Sequence, residues 1–465
     1  MALLELYMQS GGDDRNAGTD SGSNPTAITG TTSLNTTTGV LTFTAGTTGA
    51  FTGISVGAWV SLCNSSDTAA RFTGQIASND NTAITIATTT TTPYYSVTGL
   101  GGASTLTGTV SCRVGGPWAS LGIVGTNACM NSTTPSLSGA MTGSTYNGLR
   151  INVKAATYSI SATVTMPFGL AAKPIWWRGY FSTLTGTPGN ALSYTSDLDN
   201  LGKVSGTIVN GPSGATRPLF TCAAVNTSVN ASGNNWFENI EFQSHTVTAT
   251  NAPIGYNNST TGTLRFHRCR FTARYAGVSC VTLFGNATYA HFTGCLFQGD
   301  QSISVTAGTG LSLASTLGAK VIGCTFRNCA TGISGTNVSF ACIYESCTTG
   351  ISGSTDAINN VFRACTTGIS VGASNTLIDI NNIFSECGTG VAISMTNAWN
   401  ANVISADYYN NSSGTTSGLW ESFERGAITT ETGSPFVAAG SPNYDYTLTS
   451  GSKARQAGFP GQFEV

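Results

Sequence analysis

Between residues 237 and 391, short runs of alternating apolar and polar residues recur along the chain. That is the two-residue period of a half-buried strand, not the period of a helix. Four segments align: Cys324-Thr-Phe-Arg-Asn-Cys-Ala-Thr-Gly-Ile, Cys342-Ile-Tyr-Glu-Ser-Cys-Thr-Thr-Gly-Ile, Asn360-Val-Phe-Arg-Ala-Cys-Thr-Thr-Gly-Ile and Asn382-Ile-Phe-Ser-Glu-Cys-Gly-Thr-Gly-Val. Their aromatics, Phe326, Tyr344, Phe362 and Phe384, are separated by 18, 18 and 22 residues. Cys329, Cys347, Cys365 and Cys387 repeat at the same phase, as do Gly332, Gly350, Gly368 and Gly390. Looser copies precede them at Phe237-Glu-Asn-Ile-Glu-Phe, Phe266-His-Arg-Cys-Arg-Phe and Phe292-Thr-Gly-Cys-Leu-Phe. A fixed period of this length is the signature of a solenoid. Strands this short predict a right-handed parallel β-helix, in which each coil adds one strand to each face roughly 4.8 Å from the last. Equal-phase aromatics and cysteines then stack into internal ladders, and Gly or Asn marks the corners.

One column of charge follows from the same phase. Arg327, Glu345 and Arg363 each precede the repeated cysteine by two positions, so alternating signs meet on adjacent coils. This predicts a surface ion-pair column worth a few tenths of a kcal/mol per pair, a stabilising role that outweighs a catalytic one for Glu345.

Upstream, the runs Gly39-Val-Leu-Thr-Phe-Thr, Ala58-Trp-Val-Ser-Leu-Cys, Arg71-Phe-Thr-Gly-Gln-Ile and Ala83-Ile-Thr-Ile-Ala are separated by Gly, Asn-Asp and Ser-Ser turns. They predict a small antiparallel β-barrel or sandwich, either a docking module or a cap on the first coil. The expected organisation is an N-terminal segment (1–26) joining the helix start, the inserted β-domain (27–113), the β-helix (114–405) and a C-terminal capping tail (406–465) that includes Trp420, Glu421, Phe423, Glu424 and Arg425.

Composition agrees with an all-β chain and narrows the partners. Charged residues make up 9% of the 465, hydrophobic residues 40%, and the net charge is −2. Such a chain has enough apolar content to fold. It lacks the basic clusters of a nucleic-acid binder. No segment approaches the roughly 20 apolar residues of a membrane span, so membrane insertion is not expected. Met1–Ser10 lacks a basic, apolar leader pattern, which predicts synthesis in a cytoplasm without a secretory signal. The 13 cysteines are odd in number in a large chain, which predicts reduced, buried thiols.

Motifs at both ends carry a family resemblance. The chain has Gly12-Asp-Asp-Arg-Asn-Ala-Gly-Thr-Asp near its start, then Pro117-Trp-Ala-Ser-Leu, then Val153-Lys-Ala-Ala-Thr-Tyr and Pro174-Ile-Trp-Trp-Arg-Gly-Tyr. In this order they resemble the opening motifs of the pectate-lyase-like right-handed β-helix proteins, with Ala156 where that family has Gly. Tyr446-Thr-Leu-Thr-Ser-Gly-Ser-Lys-Ala-Arg-Gln-Ala-Gly is similar to the family's closing segment, with Arg455 and Gln456 in place of its apolar-Asp pair. The resemblance spans about four fifths of the chain. It implies a fold and no particular activity.

Candidate chemistry is sparse. The three histidines, His245, His267 and His291, are not at metal-ligand spacing, although His267 and His291 fall one coil apart, as a stacked surface pair would. Asp13, Asp14, Asp20 and Asn16 lack the spaced acidic pattern of a calcium loop. No metal and no cofactor is expected. Glycosidic cleavage needs two carboxylates roughly 5 to 9.5 Å apart. Glu238 and Glu241, three apart on one predicted strand, point to opposite faces, which leaves Glu241 and Asp300, each with a neighbour on an adjacent coil, as weak catalytic candidates.

The expected function is therefore structural, and it rests on analogy of fold with the resembled family. It is a virion surface protein of a tailed bacteriophage, spike, fibre or head decoration, assembled as a homotrimer and touching other virion proteins or host surface polysaccharide. Two alternatives stay open: a polysaccharide lyase or glycoside hydrolase working on one β-helix face, and a bacterial surface adhesin. A carboxylate cluster in a groove would favour the enzyme. A lengthwise hydrophobic face would favour the oligomer.

Overall fold

The computed structural model describes residues 4–13, 15–18, 24–67, 72–87, 94–99, 106–119, 148–166, 169, 171–180, 217–231, 233–247, 251–258, 262–285, 289–313, 318–372, 375–393, 401–409, 416–418, 428–431, 434–438, 445–450 and 452. The tail residues Trp420 to Arg425, the pair Arg455 and Gln456, and the acids Asp14 and Asp20 lie outside them. The chain is all-β; among the described residues the one helical turn is Gln301–Ile303. It divides into two compact units, residues 1–194 with 214–218 and 229–237, and residues 195–213 with 219–228 and 238–465.

The first unit contains a closed antiparallel barrel. Trp59–Asn64, Val110–Val114, Ile28–Asn35, Val40–Ala45, Ala83–Ala87 and Phe72–Asn79 follow one another around it, and Phe72–Asn79 returns to Trp59–Asn64. Tyr94–Gly99 pairs on the outside edge of Phe72–Asn79. Alternation builds its core: Leu41 and Phe43 point inward from one strand and join Val60, Leu62, Phe72, Ile84, Ile86 and Val110. Asp80 accepts from the backbone N–H of Thr82 and Ala83, so Asn81 turns at φ 75° and the hairpin closes.

The motif Gly12–Gly18 ties the chain on either side of this barrel together. The Asp13 carboxylate accepts from Arg15 and, across the barrel insertion, from Arg113 at 2.9 Å. The buried Asn16 amide donates to Pro117 O, while Trp118 Nε1 donates to Asn16 O. A Cβ on Gly18 would lie 2.5 Å from the Trp118 ring, so only glycine fits. Nearby, Leu4–Met8 pairs in parallel with Leu149–Lys154, which pairs with Ile175–Tyr180. Leu6, Ile151 and Trp177 share one register line and are fully buried.

The second unit is a parallel β-helix of three strands per coil. A representative coil runs Ala319–Ile322, Thr325–Arg327 and Cys329–Ser334, and each strand pairs in parallel with its counterpart in the next coil, Asn337–Phe340, Ile343–Glu345 and Thr349–Ser352. The aromatics stack as the period predicts: the rings of Phe297, Phe326, Tyr344, Phe362 and Phe384 lie nearly parallel, one over the next, with centroids 4.5–5.0 Å apart. Ladders of this kind add about 0.5–1.5 kcal/mol per pair beyond simple burial.

The corners differ from expectation. Two residues per coil take the left-handed conformation, one column being Gly323, Ala341, Asn359 and Asn381 and the other Asn328, Ser346, Ala364 and Glu386. Half of them, Ala341, Ser346, Ala364 and Glu386, are neither Gly nor Asn. Each of the second column's first three members is held by its own N–H bonding to the carbonyl of the next coil, at Glu345, Arg363 and Ser385. The conserved-phase glycines are not corners at all: Gly332, Gly350 and Gly368 sit inside the third strands, where a Cβ would come within 2.7 Å of Tyr344, Phe362 and Phe384 respectively. They are the flat floor on which the aromatic ladder rests.

Candidate functional site

Hydrolysis of a glycosidic bond needs carboxylates that substrate can reach. Glu241 begins the strand Glu241–Gln243 and is 0% exposed. It accepts from Thr272 Oγ1 at 3.2 Å, and the Arg270 guanidinium, on the adjacent coil, lies 3.7 Å away. Asp300 is likewise 0% exposed. One carboxylate oxygen accepts from Arg274 Nε at 3.1 Å and the other from the N–H and Oγ of Ser302, which shapes the helical turn that follows. Both candidates are thus buried groups with an arginine beside them. Glu238 and Glu241 do not share a strand, because the left-handed residue Asn239 separates Asn235–Glu238 from Glu241–Gln243.

The alternating charges do meet on adjacent coils, but below the surface. Arg327 Nε donates to Glu345 Oε2 at 2.6 Å and Arg363 donates to Glu345 Oε1 at 3.2 Å. The corner residue Glu386 extends the column at 3.1 Å from Arg363. Arg327 and Glu345 are 4% and 2% exposed, where the sequence predicts a solvated column. Burial changes the energetics: breaking a buried pair by removing one partner costs about 3–5 kcal/mol, well beyond a surface pair. With each oxygen of Glu345 committed to a different guanidinium, it has no geometry for acid–base work.

The imidazoles do not stack. His291 pairs in register with Arg265 on one side and Lys320 on the other, while His267 faces Thr293. Burial, with Arg265 and Lys320 beside it, lowers the pKa of His291, so it resists protonation. His245 Nδ1 is engaged locally with the backbone of Val247. Asp13 is turned to two arginines instead of a vacant oxygen cage; burial opposes its charge, yet the donors of Arg15 and the Arg113 guanidinium hold its pKa below the usual range. Among the described residues no group of three or more His, Cys, Asp or Glu is placed to hold a metal ion.

The cysteines form two internal columns just past the corners. Cys295 N–H donates to Cys324 Sγ and Cys324 N–H to Cys342 Sγ, at 3.3 and 3.4 Å. All twelve described cysteines are free and buried. Burial pushes the Cys324 thiol well above its usual range and that of Cys222 up to about 11, which leaves neither a nucleophile.

Beyond Cys342 this column changes chemistry. Cys342 N–H donates to Asn360 Oδ1 at 2.8 Å and Asn360 N–H to Asn382 Oδ1 at 2.7 Å, so amides continue the thiol column. Around them Ser339 shares hydrogen bonds with Tyr344 Oη and Asn360, and Asn382 donates to Asp379. Asp379 stands in the interior line occupied by Phe292, Val321, Ser339 and Ala357 on preceding coils. It is fully buried, and among the described residues its Oδ2 has no hydrogen-bond partner. This polar core is invisible to a search for exposed chemistry, although Asn360 and Asn382 replacing Cys at a repeated phase was a signal for it.

The exposed feature of the second unit is apolar. Ile322, Phe340, Ile358 and Ile380 occupy one register line on the outer side of the first strands. Ile322 and Phe340 are each 41% exposed. The sequence matches no family model and no curated protein.

Proposed function

We propose that this chain is a structural, non-enzymatic β-helix protein of the virion surface of a tailed bacteriophage, where it contacts neighbouring virion proteins and host surface glycans. One observation carries the non-enzymatic part: the carboxylates that are the sequence's candidates for polysaccharide cleavage, Glu241 and Asp300, are buried and lie against arginine partners. A glycoside hydrolase must keep such groups open to substrate. The lengthwise apolar line on the first-strand face supports a chain built for lateral contact, since contiguous exposed apolar surface marks interaction sites. The virion setting is supported by the β-rich composition with few charges and by analogy of fold.

The test incubates the full chain with a panel of bacterial surface polysaccharides and assays bound glycan and released reducing ends together. Retention of a glycan with no release is the expected result. Release of reducing ends or of unsaturated sugar would overturn the non-enzymatic reading, and failure of antibodies against the chain to label phage particles that encode it would overturn the virion one.

A further inference from the structure

We infer that the first-strand face of the second unit is a self-association surface on which two copies of this chain pack antiparallel about a twofold axis. The face has two adjacent register lines. One reads Ile322, Phe340, Ile358 and Ile380; the other reads Lys320, Val338, Asp356 and Ile378. Lys320 is exposed and Asp356 half-buried, and among the described residues neither forms an ion pair within its own chain.

The order of charges along the second line selects the geometry. Lys320 and Asp356 lie one coil on either side of Val338. A twofold axis in the contact plane, running along the strand Asn337–Phe340, reverses the coil direction and leaves positions along the strand unchanged. Val338 then meets Val338, Phe340 meets Phe340, Ile322 meets Ile358, and each Lys320 meets the Asp356 of the other copy. Both ions find partners and the apolar line closes on itself, which is the self-complementarity an isologous interface requires. A parallel arrangement, twofold or threefold, brings equal heights together, so Lys320 comes level with Lys320 and Asp356 with Asp356, and neither charge meets its opposite. The charge register therefore favours an antiparallel pair over the parallel homotrimer expected from sequence. The inference does not rest on the virion reading; a chain with another role would carry the same face.

The test is the concentration-dependent mass of the full chain by light scattering, with strand content checked by circular dichroism. Wild type should reach the mass of two copies. K320E and D356K should each weaken the pair on the order of tenfold or more, because each creates two like-charge contacts, and the double variant K320E/D356K should return to wild-type affinity. F340D, at an exposed position, should give a folded monomer. In a mixture of isotopically light and heavy chains, a carbodiimide should join Lys320 to Asp356 between chains of different mass. A monomer at every concentration, a mass of three copies, or a mass indifferent to K320E and D356K in folded protein would overturn the inference.

Discussion

Asp379 shows how much one residue decides in a solenoid core. Its neighbours along the interior line are apolar or small, its one side-chain donor among the described residues is Asn382, and burial raises its pKa to about 7. A carboxyl whose folded pKa lies above its unfolded value near 3.8 favours the folded state in its protonated form. Its stabilising contribution is full below about pH 4 and is lost as pH rises through 7. At roughly 1.4 kcal/mol per pKa unit, the loss is about 4 kcal/mol. We predict that the urea midpoint of the wild-type chain falls between pH 5 and pH 8, and that Asp379→Asn, which keeps an acceptor for Asn382, removes most of that fall and is the more stable protein at pH 8. Equal slopes in the two proteins would show that Asp379 is not the titrating group.

At the scale of the element, the third strand of each coil is made by what it lacks. Gly350 takes no left-handed conformation, but a Cβ there would lie 2.5 Å from Gly368 O and 2.6 Å from the Phe362 ring. The first contact is backbone and the second belongs to a ladder stacked on both sides, so neither can yield cheaply. Gly350→Ala is expected to cost at least about 2 kcal/mol in chemical unfolding. Gly372→Ala, whose Cβ would meet nothing closer than Asn375 Nδ2 at 3.4 Å, should change little. Equal effects would mean that the ladder does not set the glycine requirement. The repeat of this glycine was legible in sequence and its reason was not, because periodicity reports which positions are equivalent without reporting which neighbour approaches them. The corners show the converse: Ser346, Ala364 and Glu386 share a left-handed conformation that no residue preference announces, and for Ser346 and Ala364 the next coil holds it through a backbone hydrogen bond. The barrel strand Ile28–Asn35 escaped notice for a related reason; with alternating half-buried and exposed positions and no fully buried one, it carries almost no apolar signal.

For the whole chain, the sequence announces the solenoid and the barrel because both rest on local period, whereas the fate of each charge depends on burial that local pattern does not encode. Glu241, Asp300 and Glu345 look alike on paper as acids on strands, and each acquires its role from the arginine that the fold brings beside it. The cysteines follow the same logic at larger scale. Residues stacked at equal phase on coils spaced roughly 4.8 Å apart are close enough to suggest cross-links. The structure instead keeps the thiols as small buried groups that donate to backbone carbonyls, as Cys347 does to Phe326 O and Cys365 to Tyr344 O, while Cys324 and Cys342 also accept the backbone N–H of the preceding coil's cysteine. A thiol reagent such as dithionitrobenzoate should therefore react slowly with the native protein at the twelve described cysteines, and with all 13 once guanidinium unfolds it. A reducing agent should leave the thermal midpoint unchanged, because there is no disulfide among those twelve to break. Fewer than twelve titratable thiols in the unfolded, unreduced chain would require disulfides between coils. The columns would then be cross-links that staple successive coils, and removing one cysteine would destabilise its coil by far more than the loss of a small buried side chain.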